Sequence, residues 1–303
     1  MLCPDFIWRY VMAKKIFGMI PPVLTPFRED GSIDDRLLAQ EMDIAVNAGV
    51  HGLSVGGSTG EGPTLRDEEL RDLITIAREH VRPEQTVVCG IMRTCTRDAV
   101  RAGMTARDAG ADAIMVTPTA YNVLVPDEEG MFQFYAAISR EVDLPIIIYN
   151  VIPQNTIQPK LFHRLLEETK NVFAIKQSVG GVPALYAMKM ECGDQGTLFA
   201  ATDDMLATCF SLGANGAISA VVSAFPGYCM DIWNATQKGD WAAAYAIQDK
   251  LYKPWQCIAG NQFPIRLKYA LKVMGRDAGM CRSPITHLSE EEKRKIELAF
   301  ECL

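Results

Sequence analysis

Three segments of the chain repeat one design: Ala48-Gly49-Val50-His51-Gly52-Leu53-Ser54-Val55, Ala109-Gly110-Ala111-Asp112-Ala113-Ile114-Met115-Val116 and Leu212-Gly213-Ala214-Asn215-Gly216-Ala217-Ile218-Ser219. In each, a helical stretch stops at glycine and a short apolar run follows. Glycine suits that position because it takes up the left-handed backbone that ends a helix, and the run beyond it has the length of a buried strand. The glycines lie 61 and 103 residues apart, which divides into two units of ~30 and four of ~26, the size of a strand with its helix. Such a chain lays parallel strands side by side under a cover of helices.

Filling the intervals predicts eight strands, near Gly18–Val23, His51–Val55, Thr86–Ile91, Ala113–Thr117, Pro145–Tyr149, Val172–Lys176, Thr197–Ala200 and Gly216–Ser219. Helical patterns separate them. Leu70, Leu73, Ile74, Ala77 and Val81 share one helix face, with Thr64 and Asp67 placed to cap it. Eight α/β units with right-handed crossovers close most economically into a (β/α)8 TIM barrel, a doubly wound sheet being the other arrangement. Beyond Ser219 the chain reads as helices. Leu267, Ala270, Leu271 and Met274 form a stripe ended by Gly275, and Ser289 with Glu292 forms a capping box. The expected organisation is a leader over residues 1–11, a barrel over 12–222 and a C-terminal helical extension over 223–303, packed on the barrel.

A formal charge of −7, from 30 Lys+Arg against 37 Asp+Glu, speaks against a nucleic-acid footprint or an anionic membrane surface. No apolar run approaches the ~18 residues of a membrane span, and no signal peptide is evident. Nine scattered cysteines, with no C-x-x-C among them, suit free thiols in a reducing cytoplasm. His51, His80, His163 and His287 lack metal-ligand spacing, so no metal site is expected. The expected partners are small molecules.

In barrels of this kind the reactive groups project from the C-terminal ends of the strands. Lys176 ends one apolar strand, and Tyr149 ends the preceding one a single unit earlier. In register, the two are neighbours at one mouth. A lysine there is an amine nucleophile able to form a Schiff base once burial disfavours its charged form, or else a solvated lysine at a strand end. After the second strand, Gly56-Gly57-Ser58-Thr59-Gly60-Glu61-Gly62 reads as an anion cradle of free N–H groups, or as a tight turn that needs glycine. It is no P-loop, because Pro63 stands where that motif has lysine.

Together, Gly57-Ser58-Thr59-Gly60-Glu61, Tyr149-Asn150-Val151 with Pro153, Ile175-Lys176, and Leu212 through Ser219 resemble the dihydrodipicolinate synthase / N-acetylneuraminate lyase family. The likeness runs from about Gly18 to the C-terminus. It implies the barrel with a helical C-terminal part, and a homotetramer built from tight dimers. By that resemblance Lys176 is the lysine that captures pyruvate or a related 2-keto acid, with no cofactor beyond the imine itself. Tyr149 is then the proton-transferring phenol, linked by Ser58 to Tyr121, which in the family reaches in from the neighbouring subunit. Gly57, Ser58 and Thr59 hold the keto-acid carboxylate, and the Ile218 carbonyl faces the imine.

The sequence departs from the family where a second substrate would bind. The synthases place an arginine after the tyrosine motif, and Asn155 stands there here. Ala120 replaces the first of the usual paired tyrosines, and Ser223 stands where many relatives carry asparagine. Arg93 follows the third strand, as a fork for a distal carboxylate or as a solvated or salt-bridged side chain. Asp203 and Asp204 follow the seventh strand, to bind substrate hydroxyls or to cap a helix. The expected activity is that of a class I aldolase-type lyase or synthase other than the true dihydrodipicolinate synthase. The alternatives are dehydration of a keto-deoxy sugar acid and, in another class, a barrel that binds a keto acid or a phosphorylated ligand without catalysis.

Overall fold

The computed structural model describes residues 14–301; the leader expected over residues 1–11 lies outside them. Strands and helices alternate: β1 (Gly18–Met19), α1 (Asp35–Asn47), β2 (Gly52–Val55), α2 (Asp67–His80), β3 (Thr86–Ile91), α3 (Thr96–Asp108), β4 (Ala113–Val116), α4 (Glu128–Val142), β5 (Ile146–Asn150), α5 (Pro159–Glu168), β6 (Val172–Gln177), α6 (Gly181–Cys192), β7 (Thr197–Ala200), α7 (Leu206–Ser211) and β8 (Gly216–Ala217). Helices α8 (Ala220–Ala224), α9 (Pro226–Gln237), α10 (Trp241–Ile258), α11 (Phe263–Val273) and α12 (Glu290–Phe300) follow. The three glycines that open the repeated design have φ of 86°, 92° and 93° at Gly49, Gly110 and Gly213, the left-handed conformation each helix end requires.

All eight strands run parallel, in the order β2 through β8 and then β1. Backbone hydrogen bonds close the ring between β1 and β2: His51 N donates to Met19 O (2.8 Å), Ser54 N to Pro21 O (2.9 Å) and Val23 N to Ser54 O (2.8 Å). Strand β1 is shorter than expected because Pro21 and Pro22 have no N–H to give to a ladder, although the chain there stays paired through its carbonyls. Side chains alternate along each strand. Ile20, Val88, Met115, Ile147, Ala174, Phe199 and Ile218 fill the inside of the ring. Val87, Cys89, Ile114, Ile146, Ile148 and Ile175 point outward into the helical layer. The result is a (β/α)8 barrel with a packed interior.

The helix that completes the ring is α9, which packs on β1 and α1. Its Trp233 meets His51 edge-on at 5.6 Å, and His51 Nδ1 accepts from Met19 N (3.0 Å) across the floor of the barrel. The boundary expected at 222/223 lies within α8. Helices α10, α11 and α12 form the extension proper and lie against α7, α8 and α9.

Candidate active site

Parity along the strands decides what faces the mouth. Ala174 points into the barrel, so Lys176 two residues later does too, and the same holds for Ile147 and Tyr149. The β5–β6 register pairs Tyr149 with Lys176, as the sequence suggested. Both are 5% exposed, so Lys176 is no solvated strand-end lysine. Its Nζ lies 3.7 Å from the centroid of the Tyr149 ring, and the Tyr149 hydroxyl donates to Ser58 Oγ at 3.2 Å. Ile218 belongs to the same interior cluster.

Ser58 and Thr59 sit in a compact turn. Gly57 O accepts from Gly60 N (3.0 Å) and Gly62 N (2.9 Å), and Ser58 O accepts from Glu61 N (3.1 Å). Glycine is obligatory at two points, because a Cβ at Gly62 would stand 2.1 Å from Gly56 O and one at Gly90 2.5 Å from the same carbonyl. Thr59 is buried, while Ser58 stays open to the mouth.

Arg93, Asn155, Asp204 and Asp203 are committed to the protein itself. Arg93 donates to Asp67 Oδ1 (2.8 Å), Leu65 O (3.1 Å) and Met92 O (3.1 Å), so the salt-bridge alternative describes it and a free fork for a distal carboxylate does not. Asn155 lies in the 3-10 turn Pro153–Asn155 and donates through Nδ2 to Thr119 O (2.8 Å). Asp204 accepts from Gln256 Nε2 on α10 (3.0 Å). Asp203 caps α8, accepting from Ser219 Oγ (2.6 Å) and Val221 N (2.9 Å). Asp203 is half-buried, and desolvation of its carboxyl pushes it above the usual range against the opposing bonds from Ser219 and Val221 and the charge of Lys176. Tyr121 is 71% exposed, in a loop with Val123 and Leu124 at 85% and 69%. The side-chain hydrogen bonds of Ser58 among the described residues of the chain are to Met92 Sδ and the Tyr149 hydroxyl, not to Tyr121.

Two supports escaped the sequence reading. Asn150 accepts from Ile157 N (2.9 Å) and donates to Ile157 O (2.9 Å) and Gln177 Oε1 (3.0 Å), which pins the loop after β5. Lys268 of α11 pairs with buried Glu61 at 2.8 Å. A cation adjoining the buried stripe of Leu267, Ala270 and Leu271 was the available signal. Among the described residues, no group of three or more His, Cys, Asp or Glu side chains could hold a metal ion, and no helix is long and apolar enough to cross a membrane.

Comparison with known proteins places this geometry in context. The model of the dihydrodipicolinate synthetase family matches residues 15–302. The 4-hydroxy-tetrahydrodipicolinate synthase of Archaeoglobus fulgidus is 32% identical over 288 residues, covering 94% of this chain and 98% of that protein. YagE, a prophage protein from E. coli K12 solved with pyruvate, superposes with a TM-score of 0.89 at 28% identity, over 94% of this chain and 98% of its own. CdNal from Clostridium difficile, solved with mannosamine, gives a TM-score of 0.85 at 26% identity, over 95% and 99%.

Proposed function

The chain belongs to the dihydrodipicolinate synthetase family and is a lyase of the class I aldolase type, and from that premise we propose that Lys176 joins pyruvate or a related 2-keto acid as a Schiff base. The Nζ lone pair adds to the keto carbon, and the former carbonyl oxygen leaves as water after protonation. The resulting iminium draws electrons from the neighbouring carbon. A carbon–carbon bond there breaks with its electron pair delivered toward nitrogen, and the reverse flow of the enamine forms one. Tyr149 moves the protons at the oxygen, with Ser58 as the relay and Tyr121 of a second copy as its continuation. Gly57, Ser58 and Thr59 hold the carboxylate, and the Ile218 carbonyl faces the imine.

One observation carries this reading: Lys176, at the mouth, is buried, in register with a tyrosine whose hydroxyl reaches the glycine-rich turn. Borohydride reduction in the presence of pyruvate is the test. A stable adduct is expected on Lys176 and none on Lys176→Ala. Absence of an adduct from the wild-type chain overturns the reading and leaves a barrel that binds its ligand without covalent chemistry.

For the second reactant, the reading is an aldol partner other than that of the true synthase. Asn155 stands where the resemblance calls for arginine, and its amide is spent on Thr119. Arg93 is spent on Asp67. Loss of a hydroxyl from the same imine, a dehydratase reaction, is the neighbouring chemistry. A screen of 2-keto-3-deoxy acids, scored for aldehyde release against water loss, separates them. The assembly proposed is a homotetramer of tight dimers in the cytoplasm, with the exposed Tyr121 loop as part of the contact.

A further inference from the structure

Resting on the Schiff-base reading, we propose that Lys268 is a positioning residue for the keto-acid cradle. From the C-terminal extension it fixes, through Glu61 and Thr25, the turn that carries Ser58 and Thr59, and thereby sets how tightly the substrate carboxylate is held.

An ammonium group has three protons to donate, and Lys268 uses all of them: on Glu61 Oε1 (2.8 Å), Thr25 O (2.7 Å) and Met280 O (2.6 Å). Both members of the ion pair are almost fully buried. The other Glu61 oxygen accepts from Arg282 N (2.9 Å). Thr25 closes the circuit by donating its hydroxyl to Gly60 O (2.7 Å). The turn from Ser58 to Glu61 is therefore gripped at its far end by groups that meet at one nitrogen.

The gripped residue is under backbone strain. Glu61 has φ of 57°, left-handed and uncommon for any residue but glycine, and such a conformation persists only where its surroundings over-determine it. A buried ion pair is a poor way to add stability, since apolar side chains of similar volume often hold a fold as well. Its distinctive contribution is direction: one carboxylate, one ammonium and two backbone carbonyls admit a single arrangement. Ser58, three residues from Glu61, is the group that meets the Tyr149 hydroxyl, and a shift of about 1 Å in such a contact is enough to cost much of its effect.

The test uses pyruvate-dependent borohydride trapping of Lys176, read as a full saturation curve. Lys268→Met and the charge-neutral Lys268→Met/Glu61→Gln, which leaves no carboxylate stranded, are compared with Thr25→Val, which keeps both charges and releases only Gly60. Each is first shown to melt cooperatively. The expected result is a rise of about tenfold or more in half-saturating pyruvate for the two lysine variants, the worth of a charge-assisted hydrogen bond. Thr25→Val gives a smaller rise, and the trapped plateau is unchanged throughout. Should the charge variants not fold, Thr25→Val alone decides. Unchanged half-saturation in the folded variants overturns the proposal, as does a lowered plateau at unchanged half-saturation, which marks a purely structural role. A wild-type chain that traps nothing instead removes the Schiff-base reading itself.

Discussion

Replacing Tyr149 by phenylalanine deletes one oxygen and leaves the aromatic face under the Lys176 amine in place. The link to Ser58 at 3.2 Å goes with it. Because a positioned proton-transfer group contributes about 10²–10⁴-fold, turnover in Tyr149→Phe should fall by that order while trapping with pyruvate persists. Steady-state kinetics on the preferred substrate give the answer, and full activity would refute the phenol's role. Lys176 and Tyr149 were legible in the sequence because alternation along a strand and the length of one unit place them without knowledge of the rest. Lys268 was not. Its partner lies 207 positions earlier, and no local pattern announces a contact made only when the extension folds back on the barrel. Arg93 shows the same limit in reverse, since its position pointed to the mouth and only the packing of α2 reveals that Asp67 claims it.

At the level of single elements, the start of α2 departs from expectation for a definable reason. The 3-10 turn Gly62–Thr64 sends the Thr64 hydroxyl back to Glu61 O (2.8 Å), so Thr64 caps nothing. Glu69 takes over, accepting from Arg66 N (2.9 Å) and Arg282 Nη2 (2.6 Å). Asp67, inside the first turn, is held by Arg93 and Arg101. Burial works to raise both carboxyls, but the arginines, with Arg66 N at Glu69, outweigh it and hold them below the usual range. Folded values below the unfolded ones mean that the unfolded chain binds more protons in acid. The contribution is therefore complete above the unfolded carboxylate range near pH ~4 and is lost as pH falls through the lowered folded values. Thermal melts taken downward from about pH 6 should show a falling midpoint below about pH 4, and Asp67→Asn/Glu69→Gln should flatten that fall. A double variant with the wild-type slope would place the acid sensitivity elsewhere. The other end of the chain was easier to read: Ser289 and Glu292 form the capping box their spacing suggested, because such a box is local in sequence.

For the molecule as a whole, the barrel was legible because a closed ring of repeated units leaves a periodic trace, and the three glycine-ended helices marked that period. The end of the last unit was harder to read, since α8 and α9 follow β8 as helices like those beyond them, and Gly239 and Asp240 between α9 and α10 punctuate that junction as they would any pair of helices. The proposed assembly leaves a fainter mark still. The loop with Tyr121, Val123 and Leu124 exposes three large apolar side chains in close succession, a surface that contact with another copy would cover. Val123→Asp/Leu124→Asp should shift sedimentation toward a smaller species and slow turnover together, and an unchanged assembly would remove this loop from the interface. The interior layer of Ile147, Ala174, Phe199 and Met115 has a further consequence. It fills the ring beneath the Lys176 amine, so the amine is approached from the mouth and not through the barrel. Under the proposed Schiff-base chemistry, reactants and products would share that one approach, and a molecule tethered to Lys176 would leave only after the one above it had cleared the way.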